Sequence, residues 1–170
     1  MSVQHEPPDE SQSSITSLLR DWQNEVLRSQ RGHYRSAIYY AKLHRWIGIP
    51  TAIAAAGAGA LNTFEYDVAN IFGGLLGIGG AILAGVQTFL GLAERAEKHR
   101  SSGAENGGII REIKILLALP IIPDKQSLDH VRERRDSLAS RSPTIPERIW
   151  ARAHIPTREE QEQERQDGFA

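Results

Sequence analysis

Cysteine is absent from the chain, and its absence excludes disulfide frameworks, cysteine-ligated zinc and thiol chemistry. It is also compatible with a reducing cytoplasm. The histidines, His5, His33, His44, His99, His130 and His154, are scattered, and none stands near another at metal-ligand spacing. Serines are plentiful, but none sits in a nucleophile elbow. The glycines of Gly73 to Gly80 lack the Gly-Lys-Ser/Thr ending of a phosphate-binding loop and follow no strand. The chain therefore reads as a non-enzyme without metal or cofactor. A secretory signal is not expected either, because Met1 to Ser14 is acidic and polar where a signal has a basic start and an apolar core.

The most informative lack is one of charge. No Asp, Glu, Lys or Arg occurs from Val68 to Ala93. A hydrocarbon core of roughly 30 Å takes about 20 helical residues, so this run is long enough to span a bilayer. The alternative is a helix buried in a soluble bundle, which would lose roughly 0.8 to 1 kcal/mol at each of its many glycines relative to alanine. In lipid the same composition has a use. Gly73, Gly77, Ala81 and Gly85 recur every four residues, a helix-packing stripe on which another helix can approach closely.

A second uncharged run, Trp46 to Phe64, is separated from the first only by Glu65-Tyr66-Asp67. Together they predict a hairpin of transmembrane helices at about 46–64 and 68–92. In the earlier run Ile47, Ile49, Ile53, Leu61 and Phe64 favour insertion by about 2 kcal/mol in all, so this helix depends on its neighbour. Ala52, Ala56 and Ala60 form a matching small stripe, with Ala55 and Gly59 beside it.

A net charge of −1 conceals an asymmetry. Before the hairpin, Arg20, Arg28, Arg31, Arg35, Lys42 and Arg45 stand against Asp21 and Glu25, and residues 94–155 carry twelve basic against nine acidic side chains. The hairpin loop has only Glu65 and Asp67. Basic flanks stay on the cytoplasmic side, which places both termini there, with Arg35, Lys42, Arg45, Arg95, Lys98 and Arg100 nearest the bilayer. The anionic inner leaflet is their expected partner, and nucleic acid is not expected.

Either side of the hairpin the pattern is helical. Met1 to Ser13 is polar, contains Pro7-Pro8 and is expected to be disordered. Ile15, Leu19, Trp22 and Val26 then give an amphipathic helix that runs toward the first span, with a break or kink expected near Gly48 and Pro50. After the second span Glu94 and Lys98 support continued helix, whereas Ser101-Ser102-Gly103 and Gly107-Gly108 predict a loop or loosened turn. Helix resumes over Ile109 to Leu119, with Ile109, Ile113, Leu116 and Leu117 on one side and Arg111 and Lys114 toward water. Pro120 and Pro123 end it. Asp124 or Ser127 caps the next helix, which turns Leu128, Val131 and Leu138 inward and displays Arg132, Arg134 and Arg135. Thr144-Ile145-Pro146-Glu147 reads as a capping box for a short last helix through Ile149, Trp150 and Ala153. Residues 156–170 form an acidic tail expected to be disordered.

The fold class predicted is thus an all-α membrane protein, a two-transmembrane helical hairpin with N- and C-terminal cytoplasmic helices at about 14–45 and 93–155. Length allows one domain, and no second catalytic domain fits beside the spans. Within the hairpin, Asn70, Gln87 and Thr88 are the polar groups to single out. In lipid the Gln87 amide needs a partner, either across the helices or in a water-lined lumen.

With these residues assembled, the chain resembles the SLATT family, two-transmembrane effector modules of bacterial conflict systems. The resemblance rests on the N-terminal amphipathic helix, the tight hairpin, the Glu94-Arg95-Ala96-Glu97-Lys98-His99-Arg100 run, the Ile109 to Leu119 helix and the Ser142-Pro143-Thr144-Ile145-Pro146 motif. It covers roughly residues 14–155. Family members commonly carry an aromatic and small-residue segment after the basic run, where this chain has the polar, glycine-rich Ser101 to Gly108. The resemblance implies an inner-membrane effector of nucleotide-signalling anti-phage defence, a homo-oligomer that forms a pore or disrupts the membrane when a nucleotide second messenger or a sensor protein activates it. The alternative is a non-channel membrane anchor or assembly subunit that recruits a cytoplasmic partner.

Overall fold

Helix-forming residues run unbroken from Glu10, and the apolar positions Ile15, Leu19, Trp22 and Val26 recur on one face of them. In a computed structural model, which describes residues 10–153, they open a helix of 52 residues, α1 (Glu10–Leu61). A turn leads to α2 (Asp67–Leu90), followed by α3 (Leu92–Ala118), α4 (Lys125–Arg141) and a short α5 (Glu147–Arg152). The described chain is all α. Its residues divide into two compact units, one comprising residues 10–34 and 101–153 and the other Arg35–Arg100.

The first unit has a conventional apolar core. Leu19 and Val26 of α1, Ile109, Ile110 and Ile113 of α3, and Val131 and Leu138 of α4 are buried together, with Ile15, Trp22, Leu116, Leu117 and Leu128 packed against them. Burying one such side chain is worth roughly 1.5 to 3 kcal/mol. Ion pairs join the same helices around that core: Arg134 with Glu112, Arg135 with Glu25, and Arg141 with Glu105. Arg135 also lies over the Trp22 ring, 4.9 Å from its centroid. Of the arginines expected to be displayed outward, Arg132 and Arg134 are exposed and Arg135 is half-buried; Arg134 and Arg135 each also reach a carboxylate on another helix. Only Arg132 pairs within its own helix, with Asp129 at 3.2 Å.

Three local expectations are corrected here. Ser101 to Gly108 is helix, not a loop, because the small residues admit neighbours: a Cβ on Gly103 would stand 3.2 Å from the Tyr34 ring, and one on Gly107 2.6 Å from Gln30 Nε2. Close packing outweighs the weak helix propensity of glycine. The capping box at Thr144 does not form, since Pro146 itself occupies the N-cap of α5 without a side-chain hydrogen bond. Helix also begins at Glu10, so the last part of the expected disordered segment 1–13 is ordered in α1. Residues before 10, and the acidic tail from 156, lie outside the described residues.

Other local signals act as expected. Asp124 caps α4, its Oδ1 accepting from the Ser127 backbone N–H at 2.9 Å, and hydrogen bonding from the Ser127 side chain, with that from its backbone N–H, holds the Asp124 carboxyl below the usual carboxylate range. Arg111 and Lys114 are exposed.

Candidate functional site

The second unit contains the hairpin, and its construction begins at two breaks in the helix. After Leu61 the chain turns through Asn62 to Tyr66, where the Asn62 N–H still donates to the Ala58 carbonyl and the Phe64 N–H to that of Leu61. Asp67 occupies the first turn of α2, where its negative charge meets the positive end of the helix. The other break is at Gly91. Its φ of 55° and ψ of 37° place it in the left-handed region, and its N–H donates to the Thr88 carbonyl. Any side chain there would be strained, costing roughly 1 to 2 kcal/mol. The break at Gly91 falls inside the uncharged run, and Leu92 to Arg100 then continues as uninterrupted helix in α3. By contrast, α1 continues through Gly48 and Pro50 without the expected break.

Between these breaks α1 and α2 meet along a seam of small residues. A Cβ on Gly73 would come 2.5 Å from Asn62 Oδ1 and 3.2 Å from the Ala58 carbonyl oxygen. At Gly77 the Ala58 Cβ would lie 3.7 Å away, and at Gly80 the Ala54 Cβ 3.5 Å and the Ala55 nitrogen 3.6 Å. Gly73 and Gly80 are buried, and the backbones approach this closely only because neither carries a side chain. Of the four residues in the small stripe, Gly73 and Gly77 face α1, while Ala81 and Gly85 are exposed; nothing stands within 4 Å of a Cβ placed on Gly85. Each four-residue step advances about 400° around a helix, so a strict spacing of four drifts roughly 40° per step. Gly80, seven residues from Gly73, stays on the facing side where Gly85 has rotated away. On α1, Ala52, Ala56 and Ala60 are exposed and lie off the seam, which Ala54 and Ala58 line instead.

A polar bond closes the far end of the seam. Gln87 Nε2 donates to His44 Nδ1 at 2.8 Å, and Gly48 lies beside the amide, where a Cβ would be 3.2 Å from Nε2. Of the two partners open to Gln87, the structure provides the one across the helices. His44 was not distinguishable in sequence from an ordinary interfacial histidine, since the pairing crosses 43 positions. Thr88 Oγ1 donates to the Ala84 carbonyl at 3.0 Å, and Asn70 is exposed on the first turns of α2.

Beyond Gly91, Leu92, Ala96 and His99 are buried at successive turns of α3. The His99 ring stacks on Tyr40, with centroids 5.5 Å apart and planes 16° from parallel, and Tyr39 meets Tyr40 edge-on. Burial pushes the His99 pKa below its ordinary value, because desolvation disfavours the imidazolium. The basic residues flanking the hairpin, Arg35, Lys42, Arg45, Arg95, Lys98 and Arg100, are all exposed. Lys98 pairs with Glu94 at 2.7 Å and Arg100 with Glu97 at 3.3 Å. The Lys98 ammonium holds the Glu94 carboxyl below its ordinary pKa.

The remaining surface of the hairpin is apolar. Ile71, Phe72, Leu75, Ile78, Ile82 and Phe89 of α2 are exposed, as are Trp46, Ile49 and Ile53 of α1. Among the described residues one helical stretch, within Asp67–Ala118, is long and apolar enough to cross a membrane, and most of its apolar part is uncovered. The apolar end of α1 is made largely of alanine and glycine. The chain matches no protein-family model, no curated protein and no solved structure.

Proposed function

We propose that the chain is a bacterial inner-membrane effector of the SLATT type, with helices at about 46–64 and 68–92 crossing the bilayer and both termini in the cytoplasm. The observation that carries this reading is the uncovered apolar face of α2. In water, each Å² of apolar surface left exposed forgoes about 25 cal/mol, and a run of Ile, Leu and Phe of this length calls for lipid or other helices around it. The exposed Trp46, Ile49 and Ile53 extend the same surface onto α1, so the first span crosses as the partner of the second. The exposed basic side chains at the base of the hairpin meet anionic headgroups there.

Two helices of one chain cannot enclose an aqueous path, so membrane disruption requires several copies. In this mechanism homo-oligomers assemble through the uncovered small residues Ala81 and Gly85, and a nucleotide second messenger or a sensor protein shifts the unit of residues 10–34 and 101–153 toward the assembling state. Depolarisation then arrests growth or kills the infected cell. Asn70 and Thr88 are the exposed polar groups of α2 available to a lumen.

One observation favours the second reading, a membrane anchor that recruits a cytoplasmic partner without conducting. The Gln87 amide is held by His44, so a lumen is not needed to satisfy it. Voltage-dye measurements in expressing cells and electrical recording from purified protein in planar bilayers decide between the two. Loss of membrane potential with discrete conductance supports the effector; a hairpin that resists carbonate extraction in cells of normal potential supports the anchor. Release of the protein by alkaline carbonate defeats both.

A further inference from the structure

The unit of residues 10–34 and 101–153 contains a groove of about 660 Å³ between α1, α3, α4 and the segment around α5. That volume lies within the roughly 300 to 1,000 Å³ typical of small-molecule sites. Its lining mixes polar and ionic side chains with apolar ones. His33 and Asn106 are almost fully buried side chains of its wall, and the Asn106 amide is oriented by donating to the Ser102 carbonyl at 2.8 Å.

Two residues that line this same groove carry an orphaned polar atom each. Arg28 Nε and Ser142 Oγ are sealed from solvent and have no hydrogen-bond partner. The Arg28 guanidinium lies over the Trp150 ring, 4.5 Å from its centroid, and no ion pair joins it to a carboxylate among the described residues. Ser142 closes α4 through its backbone N–H, which donates to the Leu138 carbonyl, so its hydroxyl is not consumed by the cap. The other charges of the groove do not supply what Arg28 lacks. Glu25 is taken by Arg135, and Asp136, though it lines the groove, pairs with neither. A guanidinium is permanently charged, and a half-buried one without an anion is an unsatisfied site.

We propose that this groove binds a small organic oxyanion, a phosphate or a carboxylate on a planar ring. The oxyanion accepts from Arg28 and from the Ser142 hydroxyl, where charge-assisted bonds are strongest. The ring lies against Trp150, which remains 37% exposed beside Ile145. The site rests on this unit alone and stands whether or not the hairpin conducts.

Equilibrium dialysis of the full-length protein in detergent tests it with three probes: adenosine monophosphate, benzoate and inorganic phosphate. Saturable binding of at least one ring-bearing probe is expected, tighter than that of inorganic phosphate, and the better of the two identifies the oxyanion as phosphate or carboxylate. Arg28→Gln should weaken it about tenfold or more, as loss of a charge-assisted pair does. Ser142→Ala, which leaves the backbone cap of α4 in place, should weaken it by a smaller factor without lowering the melting temperature. A groove that holds only water gives no saturable binding of any probe, and that result overturns the proposal. So does binding that neither substitution changes.

Discussion

The two units of this chain use opposite materials for their interiors. In the unit of residues 10–34 and 101–153, leucine, isoleucine and valine are inside and ionic side chains bridge the helices outside. In the unit Arg35–Arg100, isoleucine and phenylalanine are outside, while glycine, alanine and a glutamine–histidine bond form the contact between helices. The contrast supports the proposed reading of the second unit as a membrane hairpin. Water drives large apolar side chains together; hydrocarbon does not, and there helix contact depends on close backbone approach and on satisfied polar groups.

The strongest way to break the comparison is to make the same truncation in both units. Ile113→Ala, in the fully buried core, should cost about 2 to 5 kcal/mol and sharply lower the melting temperature. Ile78→Ala, on the exposed face of α2, should leave the melt of the detergent-solubilised protein within about 0.5 kcal/mol. Equal losses at both positions would mean that the face of α2 is covered by protein.

A smaller effect separates the seam from the outer stripe. Gly73→Leu forces a side chain against the Ala58 carbonyl and Asn62, and should destabilise the hairpin by about 1 to 3 kcal/mol. Gly85→Leu should spare the hairpin and lower the recovery of crosslinked oligomers instead. If Gly85→Leu changes neither quantity, the exposed part of the stripe has no packing role.

Gln87→Leu comes next. It removes the donor to His44 at a cost of about 1 kcal/mol, read as a lower thermal midpoint. Its effect on conductance sharpens the functional choice: unchanged ion preference is expected where Gln87 serves only the helix contact, and altered preference where it lines a lumen.

The smallest expected effect is one of pH. His99 is neutral in its buried stack on Tyr40, with a folded pKa below the ordinary 6.5. The unfolded chain therefore binds the proton more readily. The contribution of His99 to stability is complete above 6.5 and is lost as pH falls through the lowered folded value. His99→Phe, which keeps a stacking ring, should flatten this part of the stability profile; an unchanged slope assigns the pH dependence to other groups.

What the sequence determined by itself is whatever local composition can encode. The uncharged run, the existence of a turn near Glu65, the basic flanks, the Asp124 cap and the apolar period of Ile15 to Val26 each act within a few residues and are legible without a partner, although the turn itself spans Asn62 to Tyr66 and Asp67 is already in α2. The tertiary structure decided the rest. Gly80 is inside and Gly85 outside because of where α1 lies; Gln87 meets His44 across 43 positions; and Arg134 and Arg135 find Glu112 and Glu25 on other helices. Ser101 to Gly108 is helical for the same reason, since Tyr34 and Gln30 fill the space that its glycines leave. A small residue declares in sequence only that something can come close, and the neighbour that does so is fixed by the packing of the whole chain.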